Sequence, residues 1–510
     1  MSMQLLSDLR ASINDTEDSV LQKARKTLSL SKDTACFVYR KSLDTRKDKF
    51  SFVYTVALET DLQDPRLRPF PTYEFPQSSG KGKTVPIVGF GPAGMFCAWI
   101  LAKCGYKPLV IERGCSIEQR VTHVESFWKG GELNPESNVQ FGEGGAGTFS
   151  DGKLTTRIND PRCRKVLELF VHFGAPKEIL TLAKPHIGTD RLRAVVTNLR
   201  KDVIRMGGEI RFETKLTDLT IRDGALRQIV LNGEPFDTNT AVLAIGNGAV
   251  DTYRMLLGQP IVVEPKPFSV GFRAEHSQDA LNRRTYGSYY GNPNLGAADY
   301  LFSNVTDKRT GEAVYSFCMC PGGQVVNASS LPNRLTTNGM SHFARNGENA
   351  NAAILASVHP TSIDEGLELQ STIEHNAWNV ARGLGPASTG YAFLRKEAPD
   401  LASCPIRGTF GPGIVPFEIG ALFPDSVANR LRDGFALFQK RILGGEPALL
   451  TAPETRTSAP LRILRDPETL QSVSVRGLYP CGEGAGYAGG IMSSAVDGIR
   501  IAEQIIRNEL

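Results

Sequence analysis

The 510-residue sequence predicts an α/β fold: a doubly wound parallel domain with an inserted mixed α+β domain, preceded by a small α+β module. Three observations predict it. A glycine-rich turn, Gly89-Phe-Gly91-Pro-Ala-Gly94, joins an apolar strand (from Val85) to an apolar helix, and Leu109-Val-Ile-Glu112-Arg113 follows as a second strand. A second glycine-rich segment, Gly482-Glu483-Gly484-Ala-Gly486-Tyr-Ala-Gly489-Gly490, runs into the last helix. The intervening order of helix, strand, meander and strand is that of a doubly wound nucleotide domain. The expected boundaries are 1–75 for the N-terminal module, 76–259 and 466–510 for the two parts of the nucleotide domain, and 260–465 for the inserted substrate or cap domain.

Taken in order, residues 4–60 read as strand, helix, strand, strand. Asp15-Thr-Glu-Asp-Ser places acidic groups at the positive end of a helix. Cys36–Arg40 and Phe50–Leu58 are β-rich runs joined by a charged turn, and prolines 65, 69, 71 and 76 with Gly80–Lys83 give residues 61–84 linker composition. The stretch Asp190–Ile204 is helical by spacing (Leu192, Val195, Val196, Leu199, Val203) and stops at Gly207-Gly208. A strand from Glu209 precedes hairpin turns at Asp223-Gly224 and Asn232-Gly233, and the run Ala241–Ile245 ends in Gly246-Asn-Gly248. Residues 260–465 are rich in glycine and proline, with short β-like runs and few long helices expected.

Composition excludes more than it identifies. No stretch approaches the roughly 20 apolar residues that span a bilayer, and the first residues lack a basic-then-apolar signal layout, so a cytoplasmic chain is expected. Nine cysteines without a CxxC pair fit reduced thiols. Cys318-Met-Cys320 is the closest pair, weak as a metal motif, and no histidine has metal spacing, so no metal is expected. A net charge of +4 predicts no dominant polyanionic partner and sets no oligomeric state.

In Gly89-Phe-Gly91-Pro92-Ala93-Gly94, the first glycine permits the tight turn. The second lets backbone approach a pyrophosphate, and the third lets helix pack on strand. The helix N-terminus then offers N–H groups to phosphates, and Pro92 stands where a missing N–H is harmless. Glu112, beside Arg113, ends the second strand, where a carboxylate accepts hydrogen bonds from a ribose diol and repels a 2′-phosphate. In the C-terminal segment Gly482, Glu483, Gly484 and Gly486 offer close approach and a hydroxyl partner. Gly489, Gly490 and Ile491 open a helix whose positive end would favour a reduced flavin. A third glycine-dense stretch, Gln140–Lys153, contributes Gly144, Gly145, Gly147, Gly152 and Lys153; Gly246 ends the strand between. Structural turns alone are the competing reading of each segment. Two such loops at opposite ends of one domain point to FAD.

With these segments, Cys318-Met-Cys-Pro-Gly-Gly323 and Glu454-Thr-Arg-Thr-Ser458, the whole chain resembles the bacterial and plastid family of FAD-dependent, NAD(FAD)-utilising dehydrogenases in the glutathione-reductase-type flavoprotein superfamily. The resemblance implies the fold and FAD, and no substrate.

Departures from other flavoproteins narrow the chemistry. The Phe141–Lys153 loop lacks the cysteine pair of disulfide reductases, there is one GxGxxG, and Gly482-Glu-Gly-Ala-Gly-Tyr is not the Gly-Asp-Ala-Ala-His of aromatic hydroxylases. An FAD-dependent oxidoreductase acting on a small molecule is the resulting expectation, with NADH or NADPH as a diffusible donor. A flavin-dependent monooxygenase is an alternative. Candidate catalytic groups are Arg273, which alternation puts on one face with Glu275, His276 as acid or base, and Arg456 in the Thr455–Arg462 loop. A solvated strand face and an exposed basic loop are the competing readings. Cys320 reads as a buried thiol in a turn. A further alternative, RNA binding by the N-terminal module through Arg40-Lys41, Arg46-Lys47 and Lys49, is opposed by the module's near-balance of charge.

Overall fold

The computed structural model describes residues 2–46, 49–77 and 80–508. Five parallel strands form the nucleotide sheet, in the spatial order Glu209–Arg211, Lys107–Ile111, Thr84–Val88, Ala241–Leu243, Leu478–Pro480. The last strand reaches this sheet only after the chain has left and returned. One face is covered by the helices Pro92–Lys103, Thr189–Arg205 and Ile491–Arg507, which share one apolar core. Two of these helices nearly touch: a Cβ on Gly498 would lie 2.1 Å from the Ala93 carbonyl oxygen. The other face packs against an antiparallel meander of residues 216–237. Its turns put Asp223, Gly224, Asn232 and Gly233 at positive φ, the conformation that two-residue hairpins demand.

Residues 268–454 form a seven-stranded sheet, mostly antiparallel, centred on Asn349–Val358 and Phe268–Ser277. The strands that enter and leave this region, Val263–Pro265 and Leu461–Ile463, pair antiparallel. Two long helices pack on it, Ile363–Ala381 of 19 residues and Asp425–Phe438 of 14. The first of these carried a legible start. Ser362 Oγ accepts the Glu365 N–H at 3.1 Å, with Asp364 and Glu365 in the first turn.

The N-terminal module is a four-stranded antiparallel sheet in the order Cys36–Asp44, Ser51–Thr60, Ser2–Ser12, Leu67–Pro69, with helix Glu17–Thr27 against it. The stretch read as linker is therefore structured where described. Leu67–Pro69 is an edge strand, a place where proline's missing N–H is harmless, and Phe75 stacks edge-on against Trp99 at 5.4 Å. The module touches both larger units. The Lys41 N–H donates to the Thr181 carbonyl at 2.6 Å, and Phe50 stacks on Tyr289 at 4.6 Å. No helix among the described residues is long and apolar enough to cross a membrane.

Candidate functional site

A cleft of about 1230 Å³ runs between the nucleotide sheet and the seven-stranded sheet. That exceeds the roughly 300–1,000 Å³ of an ordinary small-molecule site and leaves room for a dinucleotide with a substrate. On the nucleotide side it is lined by Gly89, Gly91, Pro92, Ala93, Glu112, Arg113, Gly145, Gly147, Lys153, Gly246, Glu483, Gly489, Gly490 and Ile491. Segments far apart in sequence thus share one wall. Their backbones abut: a Cβ on Gly145 would stand 3.0 Å from the Gly91 Cα.

Five predicted glycines lie behind this wall instead of in it. Gly94 packs its helix on the strand, since a Cβ there would sit 1.9 Å from the Gly89 carbonyl oxygen. Gly144 fits against Thr148, Gly152 against Gly188, and Gly482 against Ala93. Gly484, read as approaching a pyrophosphate, is likewise turned inward against the Gly246 backbone. Tyr253 Oη pins that contact, donating between the Gly246 carbonyl at 3.0 Å and the Gly484 carbonyl at 2.9 Å.

Glu112 is buried at the end of its strand. It accepts the backbone N–H groups of Phe90, Gly114 and Gly142, each at 2.9 Å. A carboxylate accepts about four hydrogen bonds, so one site is left for a ribose hydroxyl. Arg113 lies 4.0 Å over the Phe141 ring and is neutralised by Glu136 at 2.6 Å and Asp251 at 2.9 Å. Glu483 accepts the Asn247 Nδ2–H at 2.9 Å, and burial pushes its carboxyl up to about 7 against the opposing Gly490 N–H. Lys153 Nζ is buried without a hydrogen-bond partner, 3.7 Å from Asp151. Asp151 is itself already held by Arg345 at 2.5 Å and by Ser341.

The three proposed catalytic side chains are corrected by their surroundings. Arg273 is fully buried and spends all five N–H donors: on Glu454, the Cys318 carbonyl, Asn351 and Asn338. None is left for a substrate. Its strand face is not solvated either, because Glu275 is buried against Thr409 and Asn349. His276 is 1% exposed and outside the cleft; its Nε2 meets Tyr300 Oη at 2.9 Å, and burial lowers it to about 4, so the ring is neutral. Tyr300 stands between it and the cleft. Arg456 lines the cleft, but its guanidinium points away, bidentate to Glu374 at 2.6 and 2.8 Å and bonded to Gln370. Sequence spacing gave no sign of these buried partners.

Sequence reasoning also missed Arg120. Wholly buried on helix Ile117–Trp128, it donates to the carbonyls of Asn138, Val139, Gly142 and Glu143. It thereby shapes the glycine loop that forms the middle of the wall. Arg465 and Asp497 do the same for the C-terminal loop: they pair at 2.6 Å, and Asp497 accepts the Gly482 N–H at 2.8 Å. Neither position belongs to a glycine motif, so only the fold reveals them. On the facing wall, Leu301 and Phe317 present exposed apolar surface beside Tyr315, Cys318 and Thr457.

These features define a dinucleotide cleft of the flavin type, and the residues fit FAD: backbone at Gly91 and Gly145, a hydroxyl acceptor at Glu112, a buried cation without a hydrogen bond at Lys153. Residues 267–457 match the family described as FAD-dependent protein, C-terminal domain-like. The chain is 46% identical over 429 residues to an uncharacterized protein of Clostridium beijerinckii (strain ATCC 51743 / NCIMB 8052), covering 82% of this chain and 80% of the other. It belongs to the family of that protein, and it is an FAD-dependent flavoprotein. Among solved structures it is similar to L-proline dehydrogenase from P. horikoshii, with 13% identity, 85% and 94% of the two chains covered and a TM-score of 0.34. It is also similar to glycine oxidase from Bacillus cereus ATCC 14579, with 11% identity, 84% and 96% covered and a TM-score of 0.31.

Proposed function

We propose that the protein is an FAD-dependent oxidoreductase of the NAD(FAD)-utilising dehydrogenase type, exchanging a hydride or electron pair between noncovalent FAD and a small molecule. The observation that carries this reading is the shape of the cleft: three glycine-rich segments form one wall, and an apolar wall around Leu301 and Phe317 faces them. FAD, when bound, supplies the two-electron acceptor. The chain's own residues do the rest. Gly91, Gly145 and the start of helix Ile491–Arg507 receive the cofactor's phosphates and its electron-rich edge. Glu112 selects an unphosphorylated ribose. Leu301 and Phe317 exclude water from an apolar part of the substrate, and Lys153 Nζ meets negative charge.

The electron donor or acceptor is a diffusible molecule, NADH or NADPH among the candidates, and the setting is cytoplasmic. An anaerobic titration followed by the flavin spectrum tests the reading. Bleaching by a nicotinamide marks a reductase, and bleaching only by a metabolite fraction marks a dehydrogenase. A flavin that none of these reduces, and that does not reoxidise on any added acceptor, overturns it.

A further inference from the structure

We propose that Cys318 and Cys320 form a dithiol–disulfide pair that exchanges two electrons with the flavin, a second redox centre facing the cleft from the sheet opposite the glycine wall. The proposal rests on the flavin reading above.

Strand Glu312–Cys320 does not end regularly. Its register against Asn349–Val358 shifts between Phe317 and Cys320, and Cys318 adopts φ +44°. That conformation is costly for a residue with a side chain and persists where the surroundings impose it. Here Arg273 Nη1 holds the Cys318 carbonyl at 2.9 Å, and Cys320 Sγ donates to the same oxygen at 3.2 Å. The bulge brings Cys318 into the lining of the cleft while Cys320 stays fully buried behind it, its sulfur packed against the Cys318 backbone.

A second observation points to an anion at this spot. Lys153 lines the cleft from the glycine wall, its Nζ is buried with no hydrogen-bond partner, and its nearest carboxylate is shared with Arg345 and Ser341. An ammonium buried with no hydrogen bond and only a 3.7 Å ion pair to a shared carboxylate calls for further negative charge beside it, and a thiolate at Cys318 supplies it. The neighbouring Cys320 thiol, with the Lys153 and Arg273 cations, holds the Cys318 thiol well below its ordinary value despite burial; Asp151 opposes. Cys481 also lines the cleft and serves as a contrast: burial and the Asp497 carboxylate push its thiol up, so it stays protonated.

The step balances on FAD alone. The Cys320 S–H bond breaks, one S–S bond forms between Cys320 and the Cys318 thiolate, and two electrons with one proton convert FAD to anionic FADH⁻; the reverse reduces the disulfide.

The test is an anaerobic dithionite titration of the oxidised, FAD-loaded protein, with peptide mapping of iodoacetamide-labelled cysteines before and after. Wild type is expected to take up about four electrons per flavin, and Cys318→Ser and Cys320→Ser about two each. Oxidation should remove label from both cysteines of the 318–320 peptide and leave a linked peptide. Uptake of about two electrons by wild type, with both thiols still labelled after oxidation, overturns the proposal. Should either serine variant fail to fold, the wild-type map decides alone. Because dithionite reduces flavin without a substrate, a wrong oxidoreductase assignment leaves this count unchanged, and a wrong thiol assignment changes it.

Discussion

Glu143 shows how a single side chain can set the pH dependence of the molecule. It is fully buried in the glycine loop, accepts the Ile117 N–H at 2.8 Å through Oε2, and its Oε1, without a hydrogen bond, lies 3.3 Å from Arg200 Nε, which opposes the effect of burial. Burial pushes its carboxyl up to about 7, so it folds most readily as the neutral acid. The folded value is raised, so the associated stability is complete below about 4.5 and is lost as pH rises through about 7. Glu143→Gln keeps the hydrogen bond and cannot ionise. Urea unfolding of the apoprotein should show wild type losing up to about 3 kcal/mol more than the variant between pH 5 and 8. A residual slope belongs to Glu483, also raised to about 7 by burial. A second prediction separates two glycines of one motif. A Cβ on Gly89, at φ +101°, would stand 2.2 Å from the Ala244 carbonyl oxygen, whereas one on Gly91 meets only the Gly145 Cα at 3.7 Å. Gly89→Ala should therefore destabilise the fold. Gly91→Val should leave the thermal midpoint of the apoprotein nearly unchanged and weaken FAD binding more than about 100-fold, about 2.7 kcal/mol, by flavin fluorescence titration. At this scale the sequence was legible where backbone was the constraint. It was misleading at Arg273, because alternation says which side chains share a face and not what that face meets.

At the scale of elements, the loop Gln140–Lys153 is only as good a wall as its support. Arg120 supplies that support with hydrogen bonds to four carbonyls at 2.6–3.2 Å, and its guanidinium lies 4.9 Å over the Phe149 ring. Arg120→Met orphans those carbonyls inside the protein. Losing one partner of a buried charged network costs about 3–5 kcal/mol, and the expected result is a lower unfolding midpoint together with loss of bound flavin. Arg120→Lys should rescue little, because a lysine carries three donors on one nitrogen and cannot span four carbonyls. Equal flavin content in Arg120→Met and wild type would remove Arg120 from the site. The elements themselves were legible where local rules dominate. The helix Thr189–Arg205 and the two hairpin turns follow from apolar spacing and from Asp-Gly and Asn-Gly pairs. Helix Ile363–Ala381 announced itself through Ser362 and Glu365 but was masked by the glycine and proline around it. Of the seven-stranded sheet only short β-like runs were legible, among them the alternation around Arg273 and Glu275. The pairing was not, because the central strands are buried on both faces and their partners lie up to about 180 residues away, as Glu275 and Leu449 do.

For the whole molecule, the question is what the N-terminal module is doing, and its contacts argue for clamping. Its strand Cys36–Asp44 hydrogen-bonds to the nucleotide domain through Lys41, with Ala183 N–H returning to the Lys41 carbonyl at 2.9 Å. Its other side meets the seven-stranded unit through Phe50 on Tyr289 and through Asn294 Nδ2 to the Ile13 carbonyl at 3.0 Å. Two of the five basic residues read as an RNA surface are occupied: Lys41 Nζ lies 3.9 Å over the Phe52 ring, and Arg46 pairs with Asp44 at 2.9 Å. Arg40 and Lys49 are exposed, and Lys47 lies outside the described residues. A phosphate-binding face needs several free cations on one surface, because affinity rises with each phosphate neutralised. Clamping and RNA binding therefore predict opposite mutational patterns. If the module clamps, reversing Arg40 and Lys49 to glutamate should change stability by no more than about 0.5 kcal/mol and leave flavin content untouched. Phe50→Ala, which removes a half-buried aromatic contact between units, should cost about 2 kcal/mol and speed proteolytic cutting within residues 61–84. Because the two units joined by the module are the two walls of the cleft, the same change should also raise the rate of FAD release. Rapid exchange of bound flavin for a fluorescent analogue measures that rate directly. If Phe50→Ala leaves proteolysis and flavin release at wild-type values while the Arg40 and Lys49 reversals abolish a salt-sensitive RNA complex, clamping is wrong and the module is a nucleic-acid surface.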